Sequence, residues 1–179
     1  SGASIVVRPA PSSSLIWNEN TIIGNTVLYG ATAGELFAAG QAGERFAVRN
    51  SGAIAVVEGC GANGCEYMTG GTVVILGAVG DNYGAGFTGG QAFIYDADGS
   101  FEKRINPETL LWSRLAHPHW EEALRDLIAR HVAETGSRFA ARLLNEWATE
   151  RGRFWHVVPK EYAQYLPVPM SEAPAIAAE

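Results

Sequence analysis

The sequence predicts a mainly β chain that folds as a β-solenoid, or parallel β-helix, with helices after it. Most of the 21 glycines lie between positions 24 and 99, and this stretch matches itself best at an offset of 19 residues. Residues 53–57, 72–76 and 91–95 are β-rich segments that begin 19 residues apart. Because a unit this short cannot bury its own apolar face, we expect successive units to stack and to pair each strand with its counterpart one turn away.

Glycine recurs at two fixed positions of this repeat. One position lies just before or at the start of each β-rich segment and the other lies after it, which gives the predicted repeat corners Gly52, Gly71, Gly90, Gly61, Gly80 and Gly99. Glycine at a fixed position predicts a corner that needs a positive φ or that leaves no room for a Cβ atom.

Equivalent side chains of successive turns should form ladders. The 19-residue offset predicts one ladder of Val56, Ile75 and Ile94 and another of Ile54, Val73 and Ala92. A small β-sandwich also has strands at such spacing. The common offset at two separate positions of the repeat favours the solenoid over the sandwich.

After residue 99 glycine becomes rare and helical periodicity replaces the repeat. The sequence predicts a connector over 101–115, helices over 119–135 and 137–151, a short strand over 154–158 and an extended tail. We expect the helical hairpin to cover the open last turn of the solenoid. The predicted organisation is therefore a β-helix over 1–101 and a connector, two-helix cap and tail over 102–179, in one structural domain.

Composition excludes several classes of function. The formal charge of −6 argues against nucleic-acid binding, and two cysteines cannot make a disulfide scaffold. No apolar run of 18 residues and no secretory signal are found, so we expect no membrane segment and a cytoplasmic protein.

Three motifs have a competing interpretation as ligand sites. Residues 84–89 match Gly-x-Gly-x-x-Gly, but a strand-like segment comes next instead of the helix that dinucleotide binding requires, and the match coincides with a repeat corner. Cys60 and Cys65 have no second pair nearby, so buried thiols are favoured over zinc ligands. His117 and His119 flank a proline that suits the start of a helix. We predict no metal site and no cofactor site in this chain.

Carboxylates are candidates for the site of a polysaccharide lyase or hydrolase, because many parallel β-helices act on polysaccharides. The candidates fall at differing positions of the repeat, which disfavours a clustered site: Glu58, Glu66, Asp81, Asp96 and Asp98. A second polar cluster is either a salt-bridged face of the solenoid or a docking surface for another domain: Glu44, Arg45, Arg49, Asn50 and Glu58. In the docking interpretation, the two arginines bind carboxylates.

Several segments resemble the C-terminal GXGXG domain of the glutamate synthase large subunit. They are residues 22–25, 28–35, 43–53, 55–59 and 64–71, together with the helical run 130–137. The resemblance implies a right-handed β-helix without catalytic residues. It also implies that the chain braces the amidotransferase and FMN domains of an enzyme that makes two glutamates from glutamine, 2-oxoglutarate and reductant.

The same resemblance implies that FMN and an iron–sulfur cluster belong to the rest of the parent enzyme. The small NADPH-dependent subunit is a further candidate partner. This chain departs from the full enzyme because it has no N-terminal catalytic cysteine, flavin barrel or cysteine cluster. It is expected to be an excised domain or a separately encoded assembly subunit of a larger oxidoreductase, and to self-associate when isolated.

Overall fold

A computed structural model describes residues 2–171 of the chain. It confirms the predicted parallel β-solenoid, which makes about four turns, together with the C-terminal helices. The strands are β1 Ser4–Val7, β2 Thr21–Ile23, β3 Glu35–Ala38, β4 Gln41–Ala42, β5 Ser51–Val57, β6 Thr69–Ile75, β7 Gly89–Tyr95, β8 Leu110–Arg114 and β9 Phe154–Pro159. The final part of the predicted tail, 172–179, lies outside the described residues.

The strands form a seven-stranded sheet and a separate pair. The order in the large sheet is β1-β3-β5-β6-β7-β9-β8, and β2 pairs with β4. From β1 to β7 the neighbours in the large sheet run parallel, whereas β9 pairs antiparallel with both β7 and β8. Parallel pairing of strands one repeat apart excludes the antiparallel β-sandwich.

The predicted ladders are correct between β6 and β7 and wrong between β5 and β6. Ile75 lies beside Ile94 as predicted, but its neighbour in β5 is Val57 and not Val56. The ladders of the structure are Val57–Ile75–Ile94 and Ala55–Val73–Ala92.

A register shift near the start of the strands causes this difference. The pairing of β5 with β6 shifts between Ser51 and Ile54, and that of β6 with β7 shifts between Thr69 and Thr72. Gly71, with φ +88°, lies in the second irregular segment. An extra residue in one strand displaces the pairing by one position, which exchanges the two faces of the strand.

The main sheet is buried on both faces along its central strands β3, β5, β6, β7 and β9. Its inner face fills the solenoid interior with a row that includes Leu36, Val57, Ile75 and Ile94. Its outer face carries Phe37, Val56, Val74 and Phe93, which pack against the helices. The strands are therefore nearly continuous apolar runs, as is typical of parallel strands covered on both sides.

The helices form close to the predicted positions. They are α1 Pro118–Thr135, α2 Arg138–Asn145 and α3 Trp147–Glu150, so the second predicted helix is divided in two. Gly136 ends α1 with φ +73°, and the Ser137 hydroxyl accepts a hydrogen bond from Ala140 N at 3.1 Å to cap α2.

The position of the helical hairpin differs from the prediction. The helices cover the outer face of the sheet, where Trp120, Leu124 and Leu143 are buried with the outer row. The last turn is covered by β9 and β8 instead, and β8 lies within the predicted connector. The physical reason is that another strand satisfies the backbone of an open edge, whereas the helices bury an apolar face that would otherwise meet water.

None of the helices within residues 2–171 is long and apolar enough to cross a membrane.

Buried His156 should make stability depend on pH. Its Nε2 lies 2.9 Å from Gln91 Oε1, and its ring stacks on Phe93. Burial lowers the pKa of His156 to about 3. Between about pH 3 and pH 6.5, the unfolded chain, with a histidine pKa of about 6.5, therefore binds a proton that the folded chain excludes. The contribution of neutral His156 to the free energy of unfolding is therefore complete above pH 6.5 and is lost as the pH falls toward 3.

We expect His156 to account for a loss of about 2 kcal/mol between pH 7 and pH 5, since one pKa unit is about 1.4 kcal/mol. Urea unfolding of the native chain and of His156→Phe at both pH values measures this. The variant should lose distinctly less stability than the native chain over that interval. Equal losses would contradict the assignment.

Candidate functional site

Each turn of the solenoid contains one segment in which every second residue has a left-handed backbone. The three residues of each turn are Thr26, Leu28 and Gly30; Arg45, Ala47 and Arg49; Asn63, Cys65 and Tyr67; and Asn82, Gly84 and Gly86. Their φ values lie between +52° and +76°. Backbone hydrogen bonds join the segments of neighbouring turns, as from Arg45 N to Ala62 O at 2.8 Å.

The Gly-x-Gly-x-x-Gly match is part of this repeating structure. Gly84 and Gly86 occupy the left-handed positions of the fourth turn, and Gly89 begins β7. A Cβ atom on Gly86 would collide with the ring of Tyr67 in the turn before. The fold therefore explains why these residues are glycines. They also lead into a strand, whereas a dinucleotide site would need a helix.

The six glycines predicted as repeat corners fall into two groups, which differ in the physical reason that requires glycine. Gly71, Gly90 and Gly99 have positive φ. At the other positions a Cβ atom would collide with backbone of the preceding turn: Gly52, Gly61 and Gly80. Gly52, Gly71 and Gly90 lie in the first residues of β5, β6 and β7, at or near the register shifts.

The structure separates the five residues of the predicted polar cluster. Glu44, Arg45 and Arg49 are exposed on the left-handed segment of the second turn. Asn50 is buried and holds the following bend, because it donates to Ala53 O at 3.0 Å and accepts from Ala53 N at 2.9 Å.

Glu58 is also buried, at 2% exposed. Its place in the predicted docking surface is thereby corrected, because a buried side chain presents no surface to another domain. Its carboxylate lies 2.9 Å from His131 Nε2 and accepts a hydrogen bond from Ser137 Oγ at 2.9 Å. His131 and Ser137 are buried as well. The Glu58–His131–Ser137 cluster thus joins the end of β5 to α1 and to the cap of α2.

This cluster differs from a hydrolytic triad in its connections. The serine hydroxyl contacts the carboxylate, and the histidine ring nitrogen contacts the same carboxylate. Nucleophilic catalysis requires the histidine to accept the serine proton. The arrangement is therefore suited to fixing the helices. The sequence prediction missed His131 and Ser137; the Thr-Gly-Ser break between the helices was the local signal, but Glu58 is 73 residues from His131.

A cleft of about 350 Å³ opens beside the cluster, with Glu58, Asp96 and Asp98 in its wall. Asp96 accepts a hydrogen bond from Trp155 Nε1 at 2.9 Å. Hydrogen bonds from Ser100 hold the pKa of Asp98 below its usual value. A glycosidase needs one carboxyl group that can protonate the leaving group, whereas these carboxylates are engaged by donors of the fold.

The remaining candidate carboxylates lie on other turns. Asp81 forms an ion pair with Arg104 at 2.7 Å, and Glu66 is half-buried on the left-handed segment of the third turn. The predicted scatter of the carboxylates along the repeat is thus seen in the structure.

Both cysteines are buried free thiols in the solenoid interior. Tyr83 OH donates to Cys65 Sγ at 3.3 Å, and burial raises the pKa of Cys65 to about 12. His117 Nδ1 accepts from His119 N at 3.1 Å, so the histidine pair takes part in the start of α1. Within residues 2–171 the structure brings together no group of three potential metal-ligating side chains.

The comparisons with known proteins agree on one family. The family model described as the GXGXG motif matches residues 1–160. The glutamate synthase (NADPH) large chain of Azospirillum brasilense is 64% identical over all 179 residues, which are 12% of that protein. The ferredoxin-dependent glutamate synthase 2 of Synechocystis sp. is 51% identical over 88% of this chain and 10% of its own length. The chain thus spans about a tenth of the curated relatives that it matches.

Proposed function

This chain belongs to the GXGXG motif family, and from that membership we propose that it serves as the non-catalytic structural and docking domain of a glutamate synthase large chain. The observation that carries the proposal is 64% identity over the whole chain to a segment that makes up only 12% of such a protein. The reaction of the whole enzyme then depends on domains that the rest of the polypeptide supplies.

The contacts inside the chain support a role without chemistry. The polar side chains that sequence patterns nominate for catalysis are engaged in holding the fold: Glu58 fixes the helices, Asp96 binds Trp155 and Asp81 pairs with Arg104. A rigid solenoid with helices fixed along one face can hold neighbouring domains at a constant separation.

The proposal assigns partners and cofactors to the parent enzyme. The partners are its amidotransferase and FMN domains in the cytoplasm, with the small NADPH-dependent subunit as a further candidate. FMN and the iron–sulfur cluster belong to the synthase portion. The isolated chain is expected to bind neither cofactor and to self-associate through exposed edges of the solenoid.

Two measurements test this function. The purified chain should be colourless, and titration with FMN or NADPH should give no saturable change in fluorescence. The chain should co-purify with the amidotransferase–FMN portion of a glutamate synthase large chain. Stoichiometric FMN in the purified chain, or failure to retain that portion, would overturn the proposal.

A further inference from the structure

The left-handed segments of the first three turns carry exposed aromatic and cationic side chains on one surface. Tyr29, Arg45, Arg49 and Tyr67 form this surface, which we call the arginine–tyrosine face. We propose that this face is the docking site for a carboxylate-bearing segment of another domain of the same enzyme. The inference rests on the proposed docking function and deepens it, because it names the surface and the chemistry of its partner.

Three of its residues, Tyr29, Arg49 and Tyr67, follow one another along the solenoid axis on successive turns, and Arg45 lies on the same turn as Arg49. Arg49 Nη1 lies 3.4 Å from the Tyr29 hydroxyl of the turn before. Arg49 and Tyr67 occupy the same left-handed position of successive turns, and the Tyr67 ring lies against Gly86 of the next turn. Tyr29 is 58% exposed and Tyr67 59% exposed. Tyrosine and arginine are, with tryptophan, enriched among the residues that dominate the binding energy of protein interfaces.

The two arginines of the face are without a carboxylate partner in the part of the chain that the structure describes. Residues 2–171 place no carboxylate oxygen within 4.0 Å of Arg45 or Arg49, although the whole chain has a formal charge of −6. The other ion pairs show that acidic side chains of this molecule do reach arginines elsewhere. A guanidinium group binds a carboxylate through two parallel hydrogen bonds. The unmatched charge therefore favours an acidic partner.

The backbone gives an independent argument. Arg45, Arg49 and Tyr67 have φ values of +58°, +57° and +52°, where an L side chain strains the backbone. Glycine stands at the position of Arg49 and Tyr67 in the first and fourth turns, as Gly30 and Gly86. Glycine would meet the needs of the backbone at these positions, so large exposed side chains there point to a contact outside the fold.

A second copy of this chain fits the face poorly. A two-fold dimer would bring the same patch of both copies together, and the arginines of one copy would meet those of the other. The chain is about a tenth of its relatives' length, so an acidic segment of the remaining polypeptide is the partner to which we commit.

The test compares binding of matched variants to an immobilised glutamate synthase large chain that lacks this segment. The double variant Arg45→Asn/Arg49→Asn removes both charges, and asparagine already has the same backbone in the next turns, at Asn63 and Asn82. We expect its Kd to rise about tenfold or more while its thermal unfolding temperature is unchanged or higher. Tyr67→Asn should raise the Kd by a similar factor. Arg138→Asn, which removes an exposed arginine of α2, should stay within about twofold of the native chain.

The outcomes separate this inference from the function on which it rests. If the native chain does not bind the partner, the docking function itself is overturned. If the native chain binds and the double variant binds within twofold of it, or Arg138→Asn is weakened equally, the function stands and the face is wrong. Self-association that the double variant abolishes in sedimentation experiments would assign the face to a second copy and overturn the acidic partner.

Discussion

Replacing Glu58 with alanine should lower the free energy of unfolding by about 3–5 kcal/mol, because removal of one partner leaves buried polar groups uncompensated. His131 Nε2 and Ser137 Oγ both depend on this carboxylate, and all three residues are buried. The sheet and the helices should lose stability together, since the cluster joins the end of β5 to α1 and to α2. Equilibrium unfolding in urea or guanidinium measures it.

Two variants serve as controls for this effect. Glu58→Gln keeps the volume and one acceptor oxygen, so it should be distinctly less destabilising than the alanine variant. Glu122→Ala removes a carboxylate from the exposed side of α1 and should change stability by no more than about 0.5 kcal/mol. An alanine variant at position 58 that is as stable as the Glu122 variant would show that the cluster does not hold the helices.

The second large effect is expected for Gly71→Val, which should cost more than about 4 kcal/mol or prevent folding. The backbone at Gly71 has φ +88°, and a Cβ atom there would collide with the carbonyl oxygen of Ala53 and lie 2.8 Å from Asn50 Nδ2. A β-branched residue adds further atoms to the same space. Soluble expression and thermal unfolding are the measurements.

Variants of two other glycines separate the cost of backbone strain from the cost of a colliding Cβ atom. Gly99 has φ +72° but open space around a Cβ atom, so Gly99→Ala should cost only the backbone strain of about 1–2 kcal/mol. Gly152 has neither constraint, and Gly152→Ala should be neutral or slightly stabilising. If Gly71→Val were no worse than Gly99→Ala, close packing of successive turns would not be the reason for glycine at this position.

The sequence predicts the solenoid because its repeat is visible without knowledge of the register. The strands around Val57, Ile75 and Ile94 follow from the 19-residue offset. Their alignment does not follow, because Ala55, Val56 and Val57 are all fully buried and a strand that is apolar on both faces does not reveal which side chains point inward.

The backbone conformation of the left-handed segments could be predicted from the sequence only in part. The asparagines and glycines of these segments have a local preference for this backbone and could have been anticipated: Asn63, Asn82, Gly30, Gly84 and Gly86. Arg45 and Tyr67 have no such preference, and their conformation is imposed by hydrogen bonds to neighbouring turns. The surface that they present is therefore a product of stacking, which no short stretch of sequence encodes.

The polar cluster was predicted in part. Arg45 and Arg49 lie on the surface, as the docking interpretation requires, while Asn50 and Glu58 are buried. A carboxylate that directly follows an apolar strand carries a weak signal of burial. Its partners His131 and Ser137 come from helices that pack on the sheet only in the folded chain, so their identity depends on tertiary structure.

Whether this chain is a non-catalytic docking domain is tested by glutamine-dependent glutamate formation by a glutamate synthase large chain that lacks this segment, with and without this chain added in trans. We predict that the 179-residue chain alone forms no glutamate and that its addition raises the rate of the truncated enzyme. The rise should saturate at one chain per enzyme. Glutamate formation by the isolated chain, or a truncated enzyme whose rate is unaffected by saturating amounts of the chain, would contradict the claim.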